Sequence, residues 1–241
     1  MTCSVSAESS KSCRVDLLTQ ETRDEMFTVF QNHFDGVTRR QFDRDLEEKN
    51  WAITLRRADK LVGFSTLLAT NSTFEGGSLT ALYSGDTIVA PEAWGTPALS
   101  RAWIALVNQL RSESPNKPCY WLLLSSGFRT YRFLPVFWKT FFPRHDVRTP
   151  PRSARLMQHL ASERYGKAYD SQAGLVRFCA PQMLRGNLAN LPGHRSHDPH
   201  IAFFLRSNPG HAAGDELVCL TEIAEHNLTR AGQRMIHAEV R

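Results

Sequence analysis

An α/β (α+β) fold is predicted by three observations. Runs with two-residue and helical periodicity alternate along most of the chain. Two strand-like runs, WAITLRR and LVGFSTLLA, are joined by the short turn Ala58-Asp59-Lys60 and read as a hairpin. A nearly continuous apolar run, CYWLLLSS, has the character of a strand covered on both faces. With 241 residues, 41% of them hydrophobic, the chain has enough apolar material for one large domain.

The first dozen residues are Ser-rich and are expected to be loose, so residues 1–12 are set apart from a single domain at 13–241. CRVDLL, from Cys13, reads as a short strand. Thr19-Gln20-Glu21 then caps a helix whose Met26, Phe27, Phe30 and Phe34 share one face. A second helix, VTRRQFDRDLEEKN, presents Phe42 and Leu46 one turn apart. After the hairpin and a turn at 71–77, SLTALYSGDTIVA is a long strand. A helix from about Pro97 to Leu110 carries the stripe Leu99, Trp103, Leu106 and Leu110. CYWLLLSS follows, and FRTYRFLPVFWKTFF is an aromatic helix kinked at Pro135. The order to this point is β, α, α, β, β, β, α, β, α. Beyond Pro143, PPRSARLMQHLASERYG suggests one amphipathic helix. HIAFFLRSNPG and DELVCLTEI read as two last strands. Residues 143–199 are therefore expected to be a largely helical insertion before those strands.

The formal charge of +5 favours an anionic partner without choosing one. No zinc-finger spacing, RNA-binding signature or Lys-rich tail occurs, so no nucleic-acid partner is expected. Five cysteines, odd in number and never in CxxC, point to a reducing compartment rather than a disulfide framework. With neither a signal-like start nor an apolar run of spanning length, the expectation is a cytoplasmic protein with no membrane span.

The informative stretch is SGDTIVAPEAWGTPALSRAW, at 84–103, where a strand enters a sharp turn and then a helix. Such a turn aims the first free N–H groups of the helix at one spot and favours a phosphate. Gly95 and Thr96 are small enough for close approach, while Pro97 supplies no N–H.

This stretch, with the element order around it, resembles the Gcn5-related N-acetyltransferase (GNAT) superfamily. In that family the strand and turn carry V-x-P-x-x-R-G-x-G-x-G/A, whose backbone N–H groups hold the pyrophosphate of acyl-CoA. Val89, Pro91 and Gly95 match; Trp94, Pro97 and Leu99 depart from it. The strings GFSTLL, SGDTIV, GFRTYRFLPVFW and GDELVCL are similar to a divergent bacterial branch of the superfamily. The resemblance implies a mixed, mostly antiparallel central sheet flanked by helices. It also implies transfer of an acetyl or longer fatty acyl group from acyl-CoA or acyl-ACP, a phosphopantetheine thioester used as a substrate, to an amine. No permanently bound cofactor or metal is implied, and an acyl carrier protein is a conceivable partner. The departures leave open a non-catalytic binding module with a degenerate groove.

The resemblance places Ile88, Val89, Trp94, Gly95, Thr96, Ser125 and Arg129 at the donor. Tyr131 follows the fifth strand where the family's thiolate acid stands, and it reads equally as a core tyrosine. Asp86, two residues from Ser84, shares its face if the strand is regular, and is the first candidate for the base. A local hydrogen-bonding role suits it as well. His33, at the end of the first helix, is a candidate for the acceptor side, although a helix C-terminus suits a histidine for structural reasons. His194, His197 and His200 lie three apart in a Pro- and Gly-containing stretch that lacks a metalloenzyme signature.

Overall fold

The computed structural model describes residues 8–186 and 197–236. Strand β1 (Glu8–Arg14) is the first correction, because five residues expected to be loose belong to it. All seven of its residues pair antiparallel with Trp51–Arg57. An edge strand needs only one backbone partner, so its polar sequence is no obstacle.

Thr19 caps α1 (Gln20–His33), its hydroxyl accepting from Thr22 N–H at 3.2 Å. Met26, Val29, Phe30 and His33 form the buried stripe. The short β2 (Phe34–Asp35) leads to α2 (Arg39–Glu47), capped by Thr38. Strands β3 (Trp51–Arg57), β4 (Lys60–Phe74) and β5 (Gly77–Val89) form a meander with tight turns. The chain passes through α3 (Ala98–Ser112) into β6 (Cys119–Ser125).

The expected aromatic helix is two short pieces, α4 (Phe128–Tyr131) and α5 (Phe133–Phe137), followed by strand β7 (Phe141–Phe142) on the last long strand. Pro135 has no N–H to extend a helical ladder, and Phe141 and Phe142 find partners in the sheet instead. Residues 143–186 contain α6 (Pro151–Tyr165) and the two-residue strands β8 (Tyr169–Asp170), β9 (Leu175–Val176) and β10 (Met183–Leu184).

HIAFFLRSNPG is not a strand: α7 (Pro199–Ser207) occupies it. Asp198 accepts from His200 N–H at 2.9 Å and Ile201 N–H at 3.4 Å, and Pro199 suits the first helical turn. Capping thus overrides the short alternation, and Ile201 and Phe204 bury one helical face. DELVCLTEI does form the last strand, β11 (Glu216–Glu222), before α8 (Arg230–Ile236).

The main sheet has nine strands in the order β1-β3-β4-β5-β6-β11-β9-β8, with β7 also on β11. Every pairing is antiparallel except β5 with β6. One face packs on α3, α5, α7 and α8 through residues such as Leu82, Trp103, Trp121, Leu217 and Phe204. The other is covered in two patches. Helices α1 and α2 lie over Ala52, Phe64 and Ile88, and α6 lies over Leu68, Tyr83, Leu122 and Val218. Among the described residues no helix is long and apolar enough to cross a membrane.

Candidate functional site

Two irregularities in β5 create the site. Ser65 pairs with Thr87 and Leu67 with Ser84, so Thr66 alone opposes Gly85 and Asp86. This is a β-bulge, and it bends the strand locally. A side chain at Gly85 would force its neighbours to move: an added Cβ would lie 2.2 Å from Thr66 Oγ1 and 2.7 Å from Lys49 Cε. The parallel pairing of β5 with β6 covers only Thr80–Tyr83 against Cys119–Leu122. Beyond it the two strands part.

The gap opens into a cavity of about 680 Å³. Its inner wall is aromatic, with Trp103, Trp121, Phe128 and Phe133. The Trp103 and Trp121 rings stand 4.2 Å apart, and Trp121 Nε1–H donates to Ser84 Oγ at 3.1 Å. At the rim, Gly95 takes φ +95°, where an L side chain is strained, and turns the chain into α3. The Ala98 amide is taken by Thr96 Oγ1 at 3.3 Å, and Arg101 N–H reaches Pro97 O at 2.8 Å. Helix geometry leaves the amides of Leu99 and Ser100 without an intrahelical partner, and both residues line the cavity. That end of the helix favours an anion.

Of the residues proposed from sequence, His33, Ile88, Val89, Trp94, Gly95, Thr96 and Arg129 line this cavity. Thr96 is less available than its position suggests. Its hydroxyl also bonds the Glu8 carboxylate, which that contact and Arg57 hold below its ordinary value. Trp94 is 47% exposed, and its Nε1–H donates to Val89 O at 2.8 Å. The Arg129 guanidinium lies 4.5 Å from the Trp94 ring and 4.8 Å from that of Phe128. A cation therefore stands over the indole face at the rim of the cavity.

Three proposed residues lie elsewhere. Tyr131 is fully buried among Phe141, Phe203 and Phe204, and its hydroxyl donates to Pro143 O at 2.9 Å. Burial pushes its pKa far up, and the ring packs as core. Ser125 is fully buried beside Cys219; its neighbour Ser126 lines the cavity. Asp86 does not share the face of Ser84, because the bulge breaks the alternation on which that expectation rests. Ser84 lines the cavity, whereas Asp86 meets the charges of Lys49 and Asp45 beside α2.

His33 is the titratable side chain that the cavity shares with a second one, of about 900 Å³, along the outer side of α1. It is 9% exposed. Its Nδ1 lies 2.7 Å from Val29 O, and a carbonyl can only accept, so Nδ1 carries the proton. Nε2 is then an open lone pair in the neutral ring.

Outside the cavity lining, toward α2 and α6, Asp86 and Glu216 are partly covered as residues, yet their carboxyls sit deep. Burial pushes Asp86 up to about 6, opposed by Lys49. Burial, with Asp86 as a second cause, pushes Glu216 up to about 8. Burial also lowers the pKa of Lys49, which Asp86 counteracts. Nothing in the local sequence marks Glu216, since an acid at the start of a strand usually reads as solvated. The Gly in SGD is the signal that could have announced the bulge.

His194 lies outside the described residues. Among those described, no group of three or more His, Cys, Asp or Glu is arranged to hold a metal ion.

No protein-family model matches the chain, and no curated protein matches it. Solved structures do resemble it. A probable N-acyltransferase from Enterococcus faecalis, a conserved protein of unknown function, aligns with TM-score 0.44 and 11% identity, over 90% of this chain and 65% of its own. A GCN5-related N-acetyltransferase from Kribbella flavida aligns with TM-score 0.40 and 13% identity, over 67% of this chain and 45% of its own. The GNAT family N-acetyltransferase YhbS of Escherichia coli, solved in complex with CoA, aligns with TM-score 0.37 and 10% identity, over 53% of this chain and 68% of its own. The chain thus spans less than two thirds of the length of the first two.

Proposed function

We propose that the chain is an N-acyltransferase that moves an acyl group from acyl-CoA to an amine. One observation carries this reading: β5 and β6 part into an aromatic-walled cavity with the N-terminus of α3 at its rim. A CoA thioester has the matching parts. Its phosphates suit the amides of Gly95, Leu99 and Ser100 with Arg129 alongside, and its pantetheine arm suits an aromatic-walled channel. Pro97 and the engaged Thr96 hydroxyl reduce the number of donors, which favours weaker phosphate binding than a glycine-rich loop provides.

In the transfer, the amine nitrogen attacks the thioester carbonyl and His33 Nε2 takes the amine proton. The Val29 carbonyl holds the ring in the tautomer this role needs. Tyr131, fully buried with its hydroxyl bonded to Pro143 O, is not assigned a role in the chemistry.

The same shortage of donors favours a second reading, a module that binds its ligand in the cavity without turnover. Calorimetry with CoA, and mass spectrometry of reactions containing acetyl- to octanoyl-CoA and a panel of amines, separates the two. The enzyme reading expects CoA binding, an acylated amine, and a loss of about 10²-fold or more in kcat for His33→Ala. Binding without any acyl transfer leaves the module; no CoA binding and no transfer overturns both.

A further inference from the structure

The cavity proposed for the donor ends at His33, and the second cavity, of about 900 Å³, begins at the same side chain. The ring is only 9% exposed, lines both spaces, and makes no hydrogen bond at Nε2 among the described residues. Two substrates entering from opposite sides meet there. The walls of the two cavities differ in kind. The first is aromatic, whereas the second carries Glu21, Asp24, Glu25 and Glu92 against Lys60 and Arg185. In a chain of formal charge +5, that excess of acid is local. Glu21, Asp24, Glu25, Thr28 and Asn32 recur at helical spacing along the outer face of α1, so their oxygens form a line that ends at His33. At the helical rise per residue, Glu25 lies ~12 Å along the axis from His33.

Part of this negative charge already has partners. Arg39 holds Asp24 but is shared with Asp43, and Arg56 holds Glu25. Arg185 is engaged by Asp35. Glu92 approaches Lys60 only to 3.8 Å, and both side chains are exposed, so water weakens the pair. Glu21 makes no ion pair among the described residues. Negative charge is therefore left on α1 and on the turn after β5. Between them, Val29, Leu61 and Ala90 are buried apolar lining. Methylene groups suit that surface, whereas a peptide would bring backbone amides to it without partners.

We propose, resting on the acyltransferase reading, that the second cavity admits the acceptor and that the acceptor is a linear polyamine. Its ammonium groups lie along the acidic face of α1 with Glu92 opposite, its methylenes cover Val29 and Leu61, and its terminal nitrogen reaches His33. That nitrogen reacts as the free amine, having released its extra proton to water. It forms the bond to the thioester carbon, the C–S bond breaks, and the electron pair stays on sulfur. The amine proton passes to His33 Nε2, and solvent carries it on to the thiolate. The net reaction is amine plus thioester to amide plus thiol.

The experiment measures steady-state kinetics with acetyl-CoA and octanoyl-CoA as donors and three acceptors: spermidine, 1-aminohexane and a blocked lysine peptide. Wild type is expected to favour spermidine over both others by on the order of tenfold or more in kcat/KM, with a KM that rises with ionic strength. The double variant Glu21→Gln, Glu92→Gln is expected to raise KM for spermidine about fivefold or more, with kcat for spermidine and all constants for 1-aminohexane within about twofold. Unchanged 1-aminohexane kinetics also check that the variant folds, and the acceptor panel and salt dependence need no variant. If 1-aminohexane or the peptide matches spermidine, if KM ignores salt, or if the double variant keeps the wild-type KM, the polyamine assignment is overturned while the acyltransferase reading stands. A wild type that acylates none of the three with either donor removes that reading and this one together.

Discussion

The two faces of the sheet around β5 and β6 are built from the same strands and differ in kind. Toward α3 the gap is lined by aromatic rings that satisfy their own few polar atoms, as Trp121 does through Ser84. The α2 and α6 side of the sheet holds Lys49, Asp86 and Glu216, ionisable groups whose pKa values are moved mainly by burial. The first arrangement costs little to maintain and shapes a cavity. The second opposes stability, because buried charge is expensive unless paired, and such groups are a common mark of a site that handles protons. One inserted residue at the bulge separates the two, sending Ser84 one way and Asp86 the other.

Four substitutions probe this contrast. Trp121→Ala removes the packed wall, with partners at 4.2 Å in Trp103 and 5.2 Å in Trp138, and is expected to cost about 3–5 kcal/mol in urea unfolding. A cost under about 1 kcal/mol would mean the aromatic face is not close-packed. Gly85→Val forces a side chain against Thr66 and Lys49 and is expected to cost about 1–3 kcal/mol, with loss of activity as the bulge distorts. Retention of full stability would show that the bulge tolerates relaxation and does not divide the faces.

Tyr131→Phe removes a buried hydrogen bond on the aromatic side and is expected to cost about 1 kcal/mol, with kcat changing less than about twofold. A tenfold fall in kcat would return Tyr131 to the chemistry. Glu216→Gln is expected to alter the slope of stability with pH. Glu216 rises from an ordinary 4.5 to about 8, so the folded state holds a proton that the unfolded state releases across that window. Wild-type stability therefore falls as pH rises from about 4.5 to about 8, and the variant lacks this loss. Thermal unfolding should find Glu216→Gln relatively more stable at pH 8 than at pH 5; parallel curves would contradict the shift.

Local patterns made much of the frame legible. Thr19 capping a helix with Phe30 in its stripe, the hairpin at Ala58-Asp59-Lys60, and the strand-turn-helix through Gly95 depend on neighbours within a few residues, so short-range rules reach them. Apart from α7, where the local Asp198 cap decided, misreadings arose where a distant partner decided the outcome. The Ser-rich residues 8–12 became a strand because β3 offered an edge. Phe141 and Phe142 left the helical pattern because β11 offered another.

The site divides in the same way. His33 and the Trp94-Gly95-Thr96 rim were visible because a helix end and a tight turn are local features. Tyr131 and Asp86 were not correctly oriented, since a side chain's direction depends on where a helix stops and whether a strand is regular. Glu216 was invisible, because its environment is made by residues distant in sequence, among them Val176, Tyr165 and Asp86.

By itself the sequence determined α1, α2, α3 and the β3–β4 hairpin by capping, periodicity and turn chemistry, and it set the tight turn before α3. Only the tertiary structure decided which strands meet, where β5 and β6 part, and which carboxyls are driven into the interior. The physical reason is range. Propensity and capping act over one or two turns of chain, whereas desolvation and charge coupling act through space among groups that only the folded sheet brings together.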